Sequence, residues 1–177
     1  MSESSSARPS ELLVELLECL ANSLPAGVAD FTVKLGPSQH EVTAALTPQK
    51  TTAASVVAHV DDEQPVIDVI LGRGGFYEVP PNGRRYSDLA QLDEVRALCL
   101  AAIRGQYRET VWLRGDNVVR SRGVAEIGSA EAPINWAQVS FSLFRRARCR
   151  RFDYDPYDDE PEEADTSTLS QERDPFP

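Results

Sequence analysis

The sequence predicts an α+β fold: an antiparallel β-sheet, laid out as two meanders, with two amphipathic helices packed on one face. Two segments, 11–24 and 87–105, repeat apolar residues at three- and four-residue steps, which is the helical period. Around them lie short runs that alternate apolar and polar residues, bounded by Gly, Pro, Asn and Asp. The breaks between runs are short, as antiparallel neighbours require.

Residues 1–9 are Ser-rich and polar and are read as a flexible arm. Ser10 can cap the first helix. Leu12, Leu13, Leu16, Leu17, Leu20 and Leu24 then form a wide stripe opposite Glu11, Glu15 and Glu18, and Pro25-Ala26-Gly27 ends it. Such a stripe suits a core, and it works equally well against another chain, so a homodimer through the Leu12–Leu24 helix is the expected self-association. Strands are expected at 31–35, 41–46, 53–60, 65–71 and 76–79. Asp61 to Gln64 forms one turn and Gly72-Arg73-Gly74-Gly75 another. The glycine-rich turn lacks the spacing and the Lys-Ser/Thr ending of a phosphate loop.

Ser87 caps the second helix, Asp88 meets its dipole, and Leu89, Leu92, Val95, Cys99, Ala102 and Ile103 make its stripe. Gly105 supplies the left-handed stop. A second meander follows. Tyr107 to Arg114 and Val118 to Ile127 are joined by a hairpin turn at 115–117. A long strand is expected from Ile134 to about Cys149, where period two holds over most of the run: Val139, Phe141, Leu143, Ala147 and Cys149 are apolar and Gln138, Ser140, Ser142, Arg146 and Arg148 polar; the alternative over Leu143 to Arg151 is a short helix.

The chain of 177 residues, 41% hydrophobic, suits one domain, placed at 10–152. No apolar run approaches the ~20 residues that span a bilayer. The first residues show no secretion leader, and three widely spaced cysteines form no disulfide framework. A cytoplasmic protein without membrane contact is expected.

The net charge of −10 is unevenly laid out: −6 over residues 1–144 (12 basic, 18 acidic), +5 over 145–151, and −9 over 152–177 (1 basic, 10 acidic). Residues 153–177 are read as an acidic disordered tail. A chain this acidic is a poor binder of nucleic acid as a whole; its natural partners are basic proteins. Asp153, Tyr154, Asp155, Tyr157, Asp158, Asp159 and Glu160 are the residues expected to meet such a partner, the carboxylates steering and the tyrosines anchoring. The alternative is a regulatory nucleic-acid module that uses the basic strand Arg145, Arg146, Arg148, Arg150 and Arg151, masked by the tail.

No catalytic residue, cofactor site or metal site stands out. His40 and His59 lack a second ligand at metal spacing, and Asp61, Asp62 and Glu63 beside His59 read as a solvated turn. The absence of motifs weighs against an enzyme. The order of elements is similar to that of bacterial secretion chaperones, and the size and charge are similar to those of toxin-neutralising immunity proteins. Both resemblances imply a non-catalytic binding module and transfer no residues.

Overall fold

The structure, a computed structural model, describes residues 7–38, 40–79, 89–137 and 147–158. The elements run α1 (Pro9–Asn22), β1 (Ala29–Leu35), β2 (Glu41–Pro48), β3 (Val56–Asp61), β4 (Gln64–Leu71), β5 (Gly75–Val79), α2 (Leu89–Ile103), β6 (Tyr107–Arg114), β7 (Asn117–Ile127), β8 (Ala130–Ala137) and β9 (Arg148–Asp153). The α+β architecture is as expected, but the strands form two antiparallel sheets. One is a five-stranded meander, β1 to β5 in chain order; the other has the order β8-β7-β6-β9.

Alternation decides which face of the first sheet is buried. Val42, Ala44 and Leu46 on β2, Val56, Ala58 and Val60 on β3, and Ile67, Val69 and Leu71 on β4 all point to one side and are buried. Helix α1 packs against β1, β2 and β3 there, and α2 against β4, β5 and β7. Leu13, Leu17 and Leu20 of α1 are buried, which contributes roughly 2 kcal/mol for each side chain removed from water. Leu12, Val14 and Leu16 stay half-buried, the last two packed against the core.

The start of α1 differs from expectation. Arg8 is the N-cap and Pro9 the first helical residue, where a missing N–H costs nothing. Ser10 lies inside the helix and donates its backbone N–H (2.9 Å) and hydroxyl (2.8 Å) to the Asp62 carboxylate. The acceptor for the first turn thus comes from the β3–β4 turn, distant in sequence. On α2, Val95, Cys99, Ala102 and Ile103 of the expected stripe are buried with Leu98 beside them, Leu92 is half-buried, and burial pushes the Cys99 thiol up to about 12. Gly105 follows with φ +68°. Ser87 and Asp88 lie outside the described residues.

The long strand expected from Ile134 to Cys149 is two strands on opposite edges of the second sheet. Ile134 pairs with Gly123 of β7, whereas Cys149 pairs with Trp112 of β6. Period-two alternation is a property of each piece and carries no information about its neighbour, so two strands read as one. Residues 138–146, with Arg145 and Arg146, lie outside the described residues.

The domain also runs past residue 152. Beyond β9, Tyr154 N–H donates to Tyr107 O (3.2 Å), Asp155 N–H to Thr52 O (3.1 Å) and Tyr157 N–H to Ile103 O (2.9 Å). This segment ties the second sheet, the approach to β3 and the last turn of α2 together. Tyr154 and Tyr157 are buried. Composition alone placed them in the tail. Two large rings within four residues bury enough apolar surface to order Asp155 and Pro156 between them.

Candidate functional site

Two arrangements merit chemical scrutiny: a buried carboxylate between the sheets, and the face of the five-stranded sheet that neither helix covers.

Glu109 on β6 is 2% exposed. Its Oε1 accepts the backbone N–H of Arg73 (2.6 Å) and the hydroxyl of Tyr154; its Oε2 accepts the hydroxyl of Tyr107 (3.2 Å). The Tyr107 and Tyr154 rings stack with centroids 5.5 Å apart, and Arg73 lies 4.7 Å above the Phe152 ring. The Gly72–Gly74 turn is pulled onto the second sheet by this carboxylate and by Ser121, whose hydroxyl donates to Gly74 O. Gly75 and Gly123 are obligatory here, because a Cβ at either would collide with the Tyr107 hydroxyl. Burial, then the neighbouring carboxylate, holds the Tyr107 hydroxyl far above its ordinary range, and burial does the same for Tyr154. Every oxygen in the cluster has a partner. The node joins the two sheets.

The face of the first sheet that neither helix covers is different. Register sets two rows across all five strands. One is Thr32, Ala45, Val57, Ile70 and Phe76; the next is Lys34, Thr43, His59, Asp68 and Glu78. The first is an apolar band in which Ile70 is 38% exposed. It leads into a shallow groove of about 280 Å³ formed by Ile70, Arg73, Gly74, Phe76 and Val118. Beside the band, Thr43 Oγ1 and His59 Nδ1 lie 3.1 Å apart, and Asp68 faces Glu78 directly across the strands. Asp30, Glu41 and Asp61 share the face, so Lys34 is outnumbered by five carboxylates.

Asp68 is held above the ordinary carboxylate range, first by burial and then by Glu78, with His59 opposing. An acid with a raised folded-state pKa binds its proton more tightly when folded, so ionising it costs stability. No penalty exists below the unfolded value, and the penalty grows as pH rises through the folded one. Asp68→Asn is therefore expected to stabilise the fold at pH 7 by roughly 0.2–1 kcal/mol, the usual cost of facing like charges. That gain should vanish near pH 3 or below. Urea midpoints of the two proteins at both pH values check this; an equal gain at low pH contradicts it.

Comparison with protein-family models, curated proteins and solved structures finds no match for this chain.

The residues expected to meet a partner are dispersed. Asp153 is exposed and ion-paired with Arg151 (2.9 Å), and Asp155 lies 3.7 Å from Lys50. Asp158 is half-buried; Asp159 and Glu160 lie outside the described residues. Tyr154 and Tyr157, expected as exposed anchors, are core residues instead. The Tyr157 hydroxyl donates to Ala54 O (2.7 Å), so the ring has no free face or free donor to offer. Arg148, Arg150 and Arg151 are exposed on β9, an edge strand. His59, Asp61 and Asp62 are engaged with Thr43, the Glu63 N–H and α1 respectively. Among the described residues no three potential ligands are grouped as a metal would need.

Glu109 and the Asp68–Glu78 pair were not singled out from sequence. For Glu109 a signal existed: period two in β6 puts it between Tyr107 and Val111, on the buried side. For Asp68 and Glu78 none did, because their contact depends on the β4–β5 register.

Proposed function

We propose that the protein is a non-catalytic module that binds a basic protein partner through the face of its five-stranded sheet that neither helix covers. The observation that carries this reading is the juxtaposition on that face of the Ala45–Val57–Ile70–Phe76 band with the carboxylates of Asp68 and Glu78. An apolar band supplies the buried centre of an interface, and flanking charge selects and orients the partner. The like-charged pair supplies a specific driving force. Two carboxylates held opposite each other destabilise the free sheet, and a lysine or arginine placed between them removes the repulsion. The partner is thus a segment that alternates basic and apolar side chains. No helix among the described residues is long and apolar enough to cross a membrane, which agrees with a partner met in water.

The test is co-purification from the native cell with wild-type protein, Ile70→Asp and Asp68→Asn/Glu78→Gln. The wild type should retain basic proteins that elute as salt rises, Ile70→Asp should lose them, and the amide variant should bind more weakly while melting at a higher temperature. Retention of the same proteins by all three contradicts the proposal.

A further inference from the structure

Strand β1 is an outer edge of the first sheet, and among the described residues only β2 pairs with it. Phe31, Val33 and Leu35 stand opposite Leu46, Ala44 and Val42, so they lie on the side that the rest of the sheet buries under α1. Yet Val33 is 41% exposed and Leu35 71%: the apolar side of the sheet continues past its cover. Asp30, Thr32 and Lys34 point to the other side and are exposed. The backbone of the edge is open as well. Gln49 N–H donates to Val28 O (2.9 Å) and Gly36 N–H to Glu41 O (2.8 Å). In an antiparallel pair, residues that bond across the ladder alternate with residues that turn their N–H and C=O the other way. The even-numbered residues of β1 therefore bond β2, and Ala29, Phe31, Val33 and Leu35 direct theirs outward. Such a row is a template for another strand, and proteins usually guard it with charge.

We infer that the other strand is β1 of a second copy, paired antiparallel about a twofold axis through Thr32. Thr32 is the middle residue of Ala29–Leu35, so this register uses the whole strand. It sets Ala29 opposite Leu35, Phe31 opposite Val33 and Asp30 opposite Lys34, and the twofold repeats each pair. The apolar pairs are formed by the residues whose backbone faces outward, so each exchanges two hydrogen bonds. Their side chains carry the apolar side across the seam and cover Val33 and Leu35. Asp30 and Lys34 meet on the opposite side, in the narrow pairs where facing side chains stand closest. Other registers lose this match. An axis through Lys34 or Asp30 sets like charges face to face, and one through Val33 or Phe31 leaves each charge opposite an uncharged residue. The lysine that guards the edge against a foreign strand thus completes the fit to a second copy. Self-complementarity about a twofold is what the commonest homodimer symmetry demands. The axis stands perpendicular to the sheet, so two meanders become one continuous sheet with both copies of α1 on the same side. Self-association then lies on β1 and not on the Leu12–Leu24 helix, whose Leu13, Leu17 and Leu20 are buried within the chain. This dimer does not rest on the partner-binding reading, and the two stand or fall separately.

The test is sedimentation equilibrium of the full-length chain. Wild type should pass from monomer to dimer between about 1 μM and about 500 μM, the range a small interface implies. Asp30→Lys alone, or Lys34→Asp alone, places like charges opposite each other at both ends of the seam and should weaken the dimer by at least about tenfold. The double variant Asp30→Lys/Lys34→Asp should recover the wild-type affinity, and an equimolar mixture of the two single variants should form a heterodimer. A role confined to one chain, such as the bond that Gln49 Nε2 donates to Asp30 (2.6 Å), produces no recovery between chains. Ile70→Asp, which disrupts the partner-binding face, should leave the dimer intact. A wild type that stays monomeric to the highest concentration overturns the inference and leaves the edge to a strand of another protein. Association that ignores both single reversals, a mixture that does not recover, or loss of the dimer in Ile70→Asp also overturns it.

Discussion

Replacing Glu109 by alanine is expected to destabilise the fold by about 3–5 kcal/mol, a large part of the ~5–15 kcal/mol typical of a domain. The carboxylate, itself 2% exposed, receives the Arg73 backbone N–H and the hydroxyls of Tyr107 and Tyr154. Truncation removes the acceptor and leaves three donors buried. An unsatisfied buried donor costs roughly 1–3 kcal/mol, and partial relaxation of the tyrosines holds the total below the simple sum. Glu109→Gln is expected to cost about half as much, because one oxygen remains and the amide nitrogen turns a donor toward donors. Tyr154→Phe, which removes a single donor, should cost only about 1 kcal/mol. Urea denaturation of the four proteins provides the measurement. A Glu109→Ala protein within 1 kcal/mol of wild type would mean that the node does not join the sheets.

Ending the chain at Asp153 is expected to abolish stable folding, whereas ending it at Asp158 should leave stability within about 1 kcal/mol of the full chain. The shorter form loses Tyr154 and Tyr157, both buried, with their hydroxyl bonds to Glu109 and Ala54. Deleting a buried aromatic side chain costs about 3–5 kcal/mol, and two such losses approach the whole stability of a domain. The last turn of α2 loses its bond from Tyr157 N–H at the same time. Circular dichroism melts of both truncations separate the cases. A cooperative melt of the Asp153-ended chain near that of the full chain would place the C-terminal limit of the domain where composition put it.

That boundary shows where sequence reading stops. A window of Asp, Glu and Pro reads as tail because its average polarity is high, yet ordering depends on what two specific rings find to pack against. Tyr154 finds Tyr107 from β6, and Tyr157 packs in the core with its hydroxyl on Ala54. No local average contains those partners. Strand existence was legible because alternation is a local property; pairing was not, because β8 and β9 alternate alike and differ only in whether β7 or β6 lies beside them. The same limit hid the acidic face of the first sheet. Asp68 and Glu78 are ten residues apart, so their meeting is a consequence of register alone.

The sequence by itself determined the α+β class, the helices with their buried stripes, most of the strands and the Gly72–Gly74 turn. Each follows from side-chain period and from residues that stop a helix or strand within a few positions. Tertiary structure alone decided that the strands divide into two sheets, that Glu109 is enclosed between them, and that Asp68 and Glu78 meet on an acidic outward face. Charge on a strand has no direction until its neighbours are chosen, because hydrogen bonding between strands selects which side chains share a face.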